Sequence, residues 1–372
     1  MNFEEEAVRR LEMWYNGKRA PPLHIDIEPT SSCNLKCMFC WTRSEERIRN
    51  CQYQRKLSDK RLVEIVKEAA KLGVLEWEIA GGWEPMTRPK VVFRMMTLIK
   101  KYGMYGSITT NGTLFTEKMI KKLVEIGWDR ILFSLEGPNA EIHDYLTQVK
   151  GSFRKETKNI LLFKKWKEKL GKDKPLYSIH CVLNNKNYDK LEEMIELGYR
   201  LGCEGVNFEP LMIWSKEGEK LKLSEDQMKE LKVHVERAVK RARELGIHSN
   251  VGEWREEKLV IKRDMREILK RNLKCDGKNL LNSPCFLPWL NMEIRVSGRV
   301  VACRVCNDES GCENALDKPI KEIWFGRYFN ELRGKFLRGE LPNYCKDCAS
   351  GLVLKMKNLR EALKRKIRAP LR

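Results

Sequence analysis

Cys33, Cys37 and Cys40 are the strongest chemical signal in this 372-residue chain. Three thiolates on one loop can close around one metal centre and leave a coordination position open. A structural zinc site usually takes four protein ligands. A 4Fe–4S cluster held by three thiolates keeps one iron free to bind a substrate. A catalytic cluster is therefore the leading reading, with a zinc knuckle as the alternative. A second set lies towards the C-terminus. Cys285 is followed by Gly298, Cys303 and, later, the pair Cys345 and Cys348 in a C-x2-C turn. These four can also close on one metal, and on spacing alone a zinc ribbon is a fair rival. Cys275, Cys306 and Cys312 are left over in the same region. Cys51, Cys181 and Cys203 stand alone, and Cys181 and Cys203 read as small buried side chains.

The chain has 13 cysteines, no apolar run long enough for a membrane span and no signal-peptide pattern at Met1–Arg10. These features point to the cytoplasm, where thiols stay reduced and clustered cysteines serve metals rather than disulfides. The formal net charge of +20 implies a large anionic substrate or surface: a peptide or protein, an anionic lipid, or nucleic acid. A thermophile's ion-pair surface needs both signs and does not account for so large a basic surplus.

These residues need elements to position them. From Leu23 to Leu211, short β-branched runs alternate with stretches of helical period. Strands are predicted at His24–Pro29, Trp77–Ala80, Ser107–Thr110, Arg130–Leu135, Tyr177–Leu183 and Val206–Glu209. Helices are predicted at Asp59–Leu72, Lys90–Tyr102, Glu117–Ile126, Phe153–Glu168 and Tyr188–Leu201. The fold class is α/β: a partial (β/α)6 TIM-like barrel, short of the eight units of a closed one, with a small C-terminal cysteine-rich domain. The divisions are an N-terminal helix (1–22), the barrel (23–215), a helical linker (216–274), the cysteine-rich domain (275–350) and a basic helix (351–372). Ligands are expected at the C-terminal ends of the strands.

C-x3-C-x2-C after the first strand of such a repeat resembles the radical S-adenosylmethionine (SAM) superfamily. In that family a three-cysteine 4Fe–4S cluster binds SAM and reductively cleaves it to a 5′-deoxyadenosyl radical, which abstracts hydrogen. The resemblance implies that Phe39 touches the adenine. It implies that the Gly81-Gly82-Trp83-Glu84-Pro85 segment, through Gly82 and Glu84, receives the methionine ammonium, although Trp83 is an insertion in the usual pattern. Asn111 and Ser134 would hold the methionine carboxylate or ribose, and Glu136 a ribose hydroxyl. Thr147-Gln148 stand where many relatives have Arg-Gly. His143 reads as a hydrogen-bonded structural residue. The region around Cys285-Phe-Leu-Pro-Trp289, Gly298, Ile323-Trp324 and Gly339–Pro342 resembles the SPASM or Twitch accessory domain. That implies a second, auxiliary 4Fe–4S cluster on Cys285, Cys303, Cys345 and Cys348.

The resulting expectation is a radical enzyme that acts on a peptide or protein, with oxidation or C–C or C–S bond formation as the outcome. The electron donor would be a ferredoxin or flavodoxin. C–C bond formation between alkyl chains of anionic lipids is the second reading, and a non-catalytic iron–sulfur or zinc scaffold the third. Met356, Leu359, Leu363 and Ile367 recur at helical spacing among basic residues. That pattern suits peripheral membrane contact or a terminal helix packed on the barrel. No RNA-binding motif is present, so nucleic acid ranks last.

Overall fold

The computed structural model describes residues 2–44, 55–255, 264–306, 311–348 and 350–368; Cys51 and part of the expected linker lie outside them. Helix α1 (Phe3–Tyr15) comes first, then β1 (His24–Ile27), α2 (Asp59–Leu72), β2 (Glu76–Ile79), α3 (Pro89–Lys101) and β3 (Tyr105–Thr110). Next are α4 (Glu117–Glu125), β4 (Arg130–Ser134), α5 (Ala140–Thr147), α6 (Ser152–Leu170), β5 (Leu176–Leu183), α7 (Leu191–Leu201) and β6 (Gly205–Pro210). The short α8 (Lys216–Glu219), α9 (Glu225–Leu245) and β7 (His248–Ser249) follow. The C-terminal part holds α10 (Met265–Lys270), α11 (Leu287–Leu290), β8 (Asn291–Ile294), β9 (Val300–Val301), α12 (Ile320–Trp324), α13 (Arg327–Leu337) and α14 (Ser350–Arg368).

Local chemistry explains the boundaries. The Ser58 hydroxyl accepts the Arg61 N–H at 3.1 Å to start α2, and Gly73 ends it at φ 93°. Between them Leu62, Val63, Ile65, Val66 and Ala69 form one buried stripe. Ser224 and Gln227 close a reciprocal capping box on α9.

All strands join one open sheet in the order β7-β6-β5-β4-β3-β2-β1-β8-β9. The six expected strands are all present, and two more join them in parallel. β7 pairs with β6, so the segment expected as a linker closes one edge of the sheet. β8 pairs with β1, with Asp26 opposite Glu293, so the cysteine-rich segment continues the barrel. β9 turns back antiparallel through Gly298 at φ 82°, where an added Cβ would lie 2.4 Å from Asn314 Oδ1. β8 and β9 thus form a hairpin whose first strand starts at Asn291, because Leu287–Leu290 is a helical turn.

Alternation divides each strand between two surroundings. Ile25, Ile27, Trp77, Ile79, Ile131, Phe133, Ile179, Val206, Phe208, Met292 and Ile294 are buried under the helices. Each such side chain contributes roughly 1.5–3 kcal/mol. The alternate residues face the inner side of the curved sheet, and there most are polar or charged, with Leu132 and Val182 among the apolar ones.

The C-terminal helix settles the two readings of the tail. Met356, Leu359 and Leu363 are buried, and Arg360 donates to the carbonyls of Leu281 (3.0 Å) and Ser283 (2.7 Å). Lys366 meets Glu12 of α1 at 3.2 Å. The apolar stripe packs on the protein core, as the packed-helix reading expects. Among the described residues no helix is long and apolar enough to cross a membrane.

Candidate metal centres and lumen

The first cysteine loop leaves β1 at the C-terminal end of the sheet. It is strapped by backbone hydrogen bonds from Lys36 N–H to Thr147 O (2.9 Å), Met38 N–H to Leu146 O (3.0 Å) and Glu84 N–H to Ser32 O (3.1 Å). Cys33 is exposed, and Cys37 and Cys40 are half-buried. Burial and the nearby charges of Cys40, Glu136 and Cys33 push the Cys37 thiol well up, so it needs a cation to ionise. The half-buried Phe39 faces the start of α8, where an added Cβ at Gly218 would lie 3.8 Å from its Cα.

Gly81 and Gly82 are required by sterics. Both have positive φ, and added Cβ atoms would lie 2.1 Å from Glu28 Cγ and 2.4 Å from Trp41 Nε1. Glu84 is buried and fully engaged inside the protein. Its carboxylate accepts the Asn111 N–H (2.8 Å), the Thr110 hydroxyl (2.8 Å) and the Met86 N–H (2.9 Å). Burial raises its pKa despite these bonds. Glu84 thus pins together the loops after β2 and β3. Asn111 Nδ2 donates to Asn34 Oδ1 at 3.0 Å and approaches Cys33 Sγ to 4.0 Å. Asn34 was not foreseen in the sequence, although its place beside Cys33 is a signal.

Ser134 ends β4 opposite His180 of β5. Glu136 accepts the Val182 N–H at 2.8 Å, and burial pushes its carboxyl up to about 7. Its own N–H donates to His143 Nδ1 at 3.1 Å, which leaves the proton of neutral His143 on Nε2, 3.5 Å from Glu156. Burial lowers His143 to about 4. This histidine is structural, as expected. Gln148, in the glycine's place, takes a left-handed conformation at φ 58°, and Thr147, in the arginine's place, is buried and donates to His143 O at 2.8 Å.

The second set lies in the core. Cys285 and Cys345 are buried, and Cys303 and Cys348 are half-buried. Burial, helped by the neighbouring Cys348 and opposed by Arg360, pushes Cys285 up to about 12, and burial pushes Cys348 up to about 11. Cys303 and Cys345 are raised further by burial and by the other thiols of the set. Among the described residues no three cysteine sulfurs approach within 4.8 Å of one another. Sulfurs around one zinc ion would be about 3.8 Å apart given Zn–S bonds of about 2.3 Å. Each set offers three or four thiols, the soft donor set that an iron–sulfur cluster takes. The remaining cysteines split up. Cys306 and Cys312 share the Tyr328 hydroxyl, while Cys275 donates to Asn282 O at 3.2 Å. Cys181 and Cys203 are buried, as expected.

The inner wall was missed in the sequence. His24 lies 3.1 Å from Asp26 and 3.0 Å from Glu76. Burial works against its charge, but those two carboxylates raise it to about 10. Thr109 donates to Glu78 (3.0 Å), Arg130 to Ser178 (3.2 Å), and His180 faces Glu209 at 3.6 Å. Arg295 bridges Glu28 (2.9 Å) and Glu293 (2.6 Å). The signal was present in His24-Ile-Asp26-Ile-Glu28, Glu76-Trp-Glu78 and Glu293-Ile-Arg295, where charge alternates with apolar side chains along buried strands.

The family model for the radical SAM superfamily matches residues 27–198, and that for an iron–sulfur cluster-binding domain, SPASM, matches residues 285–349. The chain belongs to the radical SAM superfamily. It is a radical SAM enzyme with a C-terminal iron–sulfur cluster-binding domain. A PqqA peptide cyclase of Rhizobium meliloti (strain 1021) is 25% identical across 88% of this chain and 80% of its own length. The tungsten-containing aldehyde ferredoxin oxidoreductase cofactor-modifying protein of Pyrococcus furiosus is 30% identical, over 49% of this chain and 50% of its own. Among solved structures, Streptococcus suis SuiB bound to the precursor peptide SuiA has a TM-score of 0.61 at 18% identity, covering 88% of this chain and 71% of that one. Native anSMEcpe with bound AdoMet has a TM-score of 0.60 at 19% identity, covering 93% and 98%. These two likenesses establish the shared fold.

Proposed function

We propose that this radical SAM enzyme abstracts hydrogen from a carbon of a peptide or protein substrate held in the barrel lumen, leading to oxidation or bond formation. The carrying observation is the inner wall: His24, Asp26, Glu78, Arg130, His180 and Glu209 make it a charged, hydrogen-bonded surface that offers an alkyl chain little apolar contact. A peptide can hydrogen-bond to that wall. The Rhizobium relative, named for a peptide cyclase, supports the same substrate class.

Cys33, Cys37 and Cys40 would hold the catalytic 4Fe–4S cluster, and Cys285, Cys303, Cys345 and Cys348 the auxiliary one. The bound cluster and SAM supply the radical chemistry once an electron arrives from a ferredoxin or flavodoxin. The chain's own residues place and shield it. Gly81 and Gly82 bring backbone close to the cysteine loop, with Gly82 O 3.7 Å from Cys40 Sγ. Glu84 fixes Thr110 and Asn111 beside that loop, and Ser134 and Glu136 complete the rim at the ends of β4 and β5.

The test uses anaerobically reconstituted protein, reduced and supplied with SAM. Release of 5′-deoxyadenosine should be stimulated by a pooled proteolytic digest of cell protein and not by vesicles of anionic lipid. Stimulation by the vesicles alone would reverse the substrate assignment. No release under any condition would return the scaffold reading.

A further inference from the structure

Arg304 directly follows Cys303, yet its side chain turns into the lumen. Nη2 lies 2.5 Å from Asp26 Oδ1 on β1 and 2.7 Å from Glu78 Oε2 on β2. The ligand atoms of His24, Asp26 and Glu78 lie within 4.8 Å of one another, a spacing that would suit a metal ion. The guanidinium already supplies the cation there. Arg295 makes the reverse connection. From the end of β8 it pairs with Glu28 and Glu293, while its Nη2 donates to the carbonyls of Arg304 (2.9 Å) and Cys306 (3.0 Å). One arginine thus reaches from the cysteine loop to the wall, and the other from the wall to the cysteine loop.

This junction is not sealed. The Arg304 side chain is 46% exposed, although Asp26 beside it is only 10% exposed. Both carboxylates meet Nη2, so among the described residues the N–H groups of Nε and Nη1 have no acceptor. The surrounding charges are Arg304 and His24 against Asp26, Glu76 and Glu78. A second anion is disfavoured beside that surplus of negative charge, whereas a neutral oxygen acceptor is not.

We propose that Arg304 is a positioning residue that fixes the second metal site against the inner wall and offers its spare N–H groups to a backbone or side-chain carbonyl of the substrate. The proposal rests on the peptide reading above. It makes the loop of the auxiliary centre part of the substrate wall, so that a change at one is felt at the other.

The test compares Arg304→Gln, Arg304→Lys and the parent in a background with Cys33, Cys37 and Cys40 changed to Ala, so that only the second centre can carry iron. Removing the cation leaves His24 alone against Asp26, Glu76 and Glu78. The midpoint potential of the centre should therefore fall and its paramagnetic resonance signal shift in Arg304→Gln, with the potential restored by Arg304→Lys. In the otherwise native enzyme, both variants should need a higher concentration of the digest for half-maximal stimulation, by roughly fivefold for one lost hydrogen bond. An unchanged signal and an unchanged half-maximal concentration in Arg304→Gln overturn the proposal. If the parent shows no iron signal at the second site, the cluster assignment fails instead. The coupling is then judged by melting: Asp26→Asn added to Arg304→Gln should cost no further stability, and an additive loss refutes it.

Discussion

The loop of Cys33, Cys37 and Cys40 stands at the open end of the lumen with Cys33 exposed, whereas Cys285 and Cys345 are buried beside α11 and α14. The first loop is held by backbone bonds to its neighbours, and none of its cysteines belongs to the hydrophobic core. Cys285 and Cys345 are part of that core, together with Phe286, Met356 and Leu359, and Cys348 packs against it. An exposed site can exchange a ligand without disturbing the fold. A buried site contributes its binding energy to folding. The two sets, so alike as cysteine patterns, should therefore fail in different ways.

The largest effect should come from emptying the second site. Cys345→Ala with Cys348→Ala should lower stability by on the order of 5 kcal/mol in the reconstituted protein. Changing Cys33, Cys37 and Cys40 to Ala should cost under about 1 kcal/mol while abolishing 5′-deoxyadenosine release. Thermal melts of the two variants side by side check this, and equal losses would erase the distinction.

Glu84→Ala brings a fold penalty to the first site. It strands the buried N–H groups of Asn111 and Met86, for a loss of about 3 kcal/mol. SAM affinity, read by equilibrium dialysis, should drop with it because the loop after β3 loses its pin. A variant that melts and binds like the parent would show that the pin is dispensable.

Acid sensitivity should also lie near the first site. The unfolded His143 titrates near 6.5 and the buried one near 4, so between these values only the unfolded chain takes the proton. Stability from this group is thus present above pH 6.5 and is lost as pH falls towards 4, by up to about 3 kcal/mol. Denaturant midpoints across that window should fall less steeply in His143→Gln than in the parent.

The smallest effect concerns the brace of the second site. Arg360→Ala removes donors from the carbonyls of Leu281 and Ser283 just before Cys285, and should cost about 2 kcal/mol. Iron retention at the second site should weaken, with no change in SAM affinity. A loss confined to SAM affinity would contradict the division of labour between the sites.

Much of this was readable from local pattern. The stripe and Gly73 gave α2 its bounds, and cysteine spacing led to both candidate centres. The misses share a physical cause. β7 has two residues and little pattern of its own, and only its partner β6 makes it a strand. α5 was overlooked because His143, Thr147 and Gln148 were read for the family resemblance and not for helical period. The internal bonds of Glu84 to Asn111 and Thr110 were not legible, because spacing cannot show which loops meet a carboxylate. The lumen was missed because a charged residue on a strand ordinarily faces water. Only curvature of the sheet, a long-range property, brings Asp26, Glu78, His180 and Arg304 towards a common interior.

The pairing of β8 with β1 also has a consequence for synthesis. Asp26 and Asn291 are 265 positions apart in the chain yet adjacent in the sheet. While the nascent polypeptide emerges, the β1 edge stays unpaired until the segment at Asn291–Ile294 leaves the ribosome. Such an edge is a template for foreign strands. The acidic side chains of Asp26 and Glu28, uncompensated until Arg304 and Arg295 arrive, give that waiting edge a charge that discourages self-association.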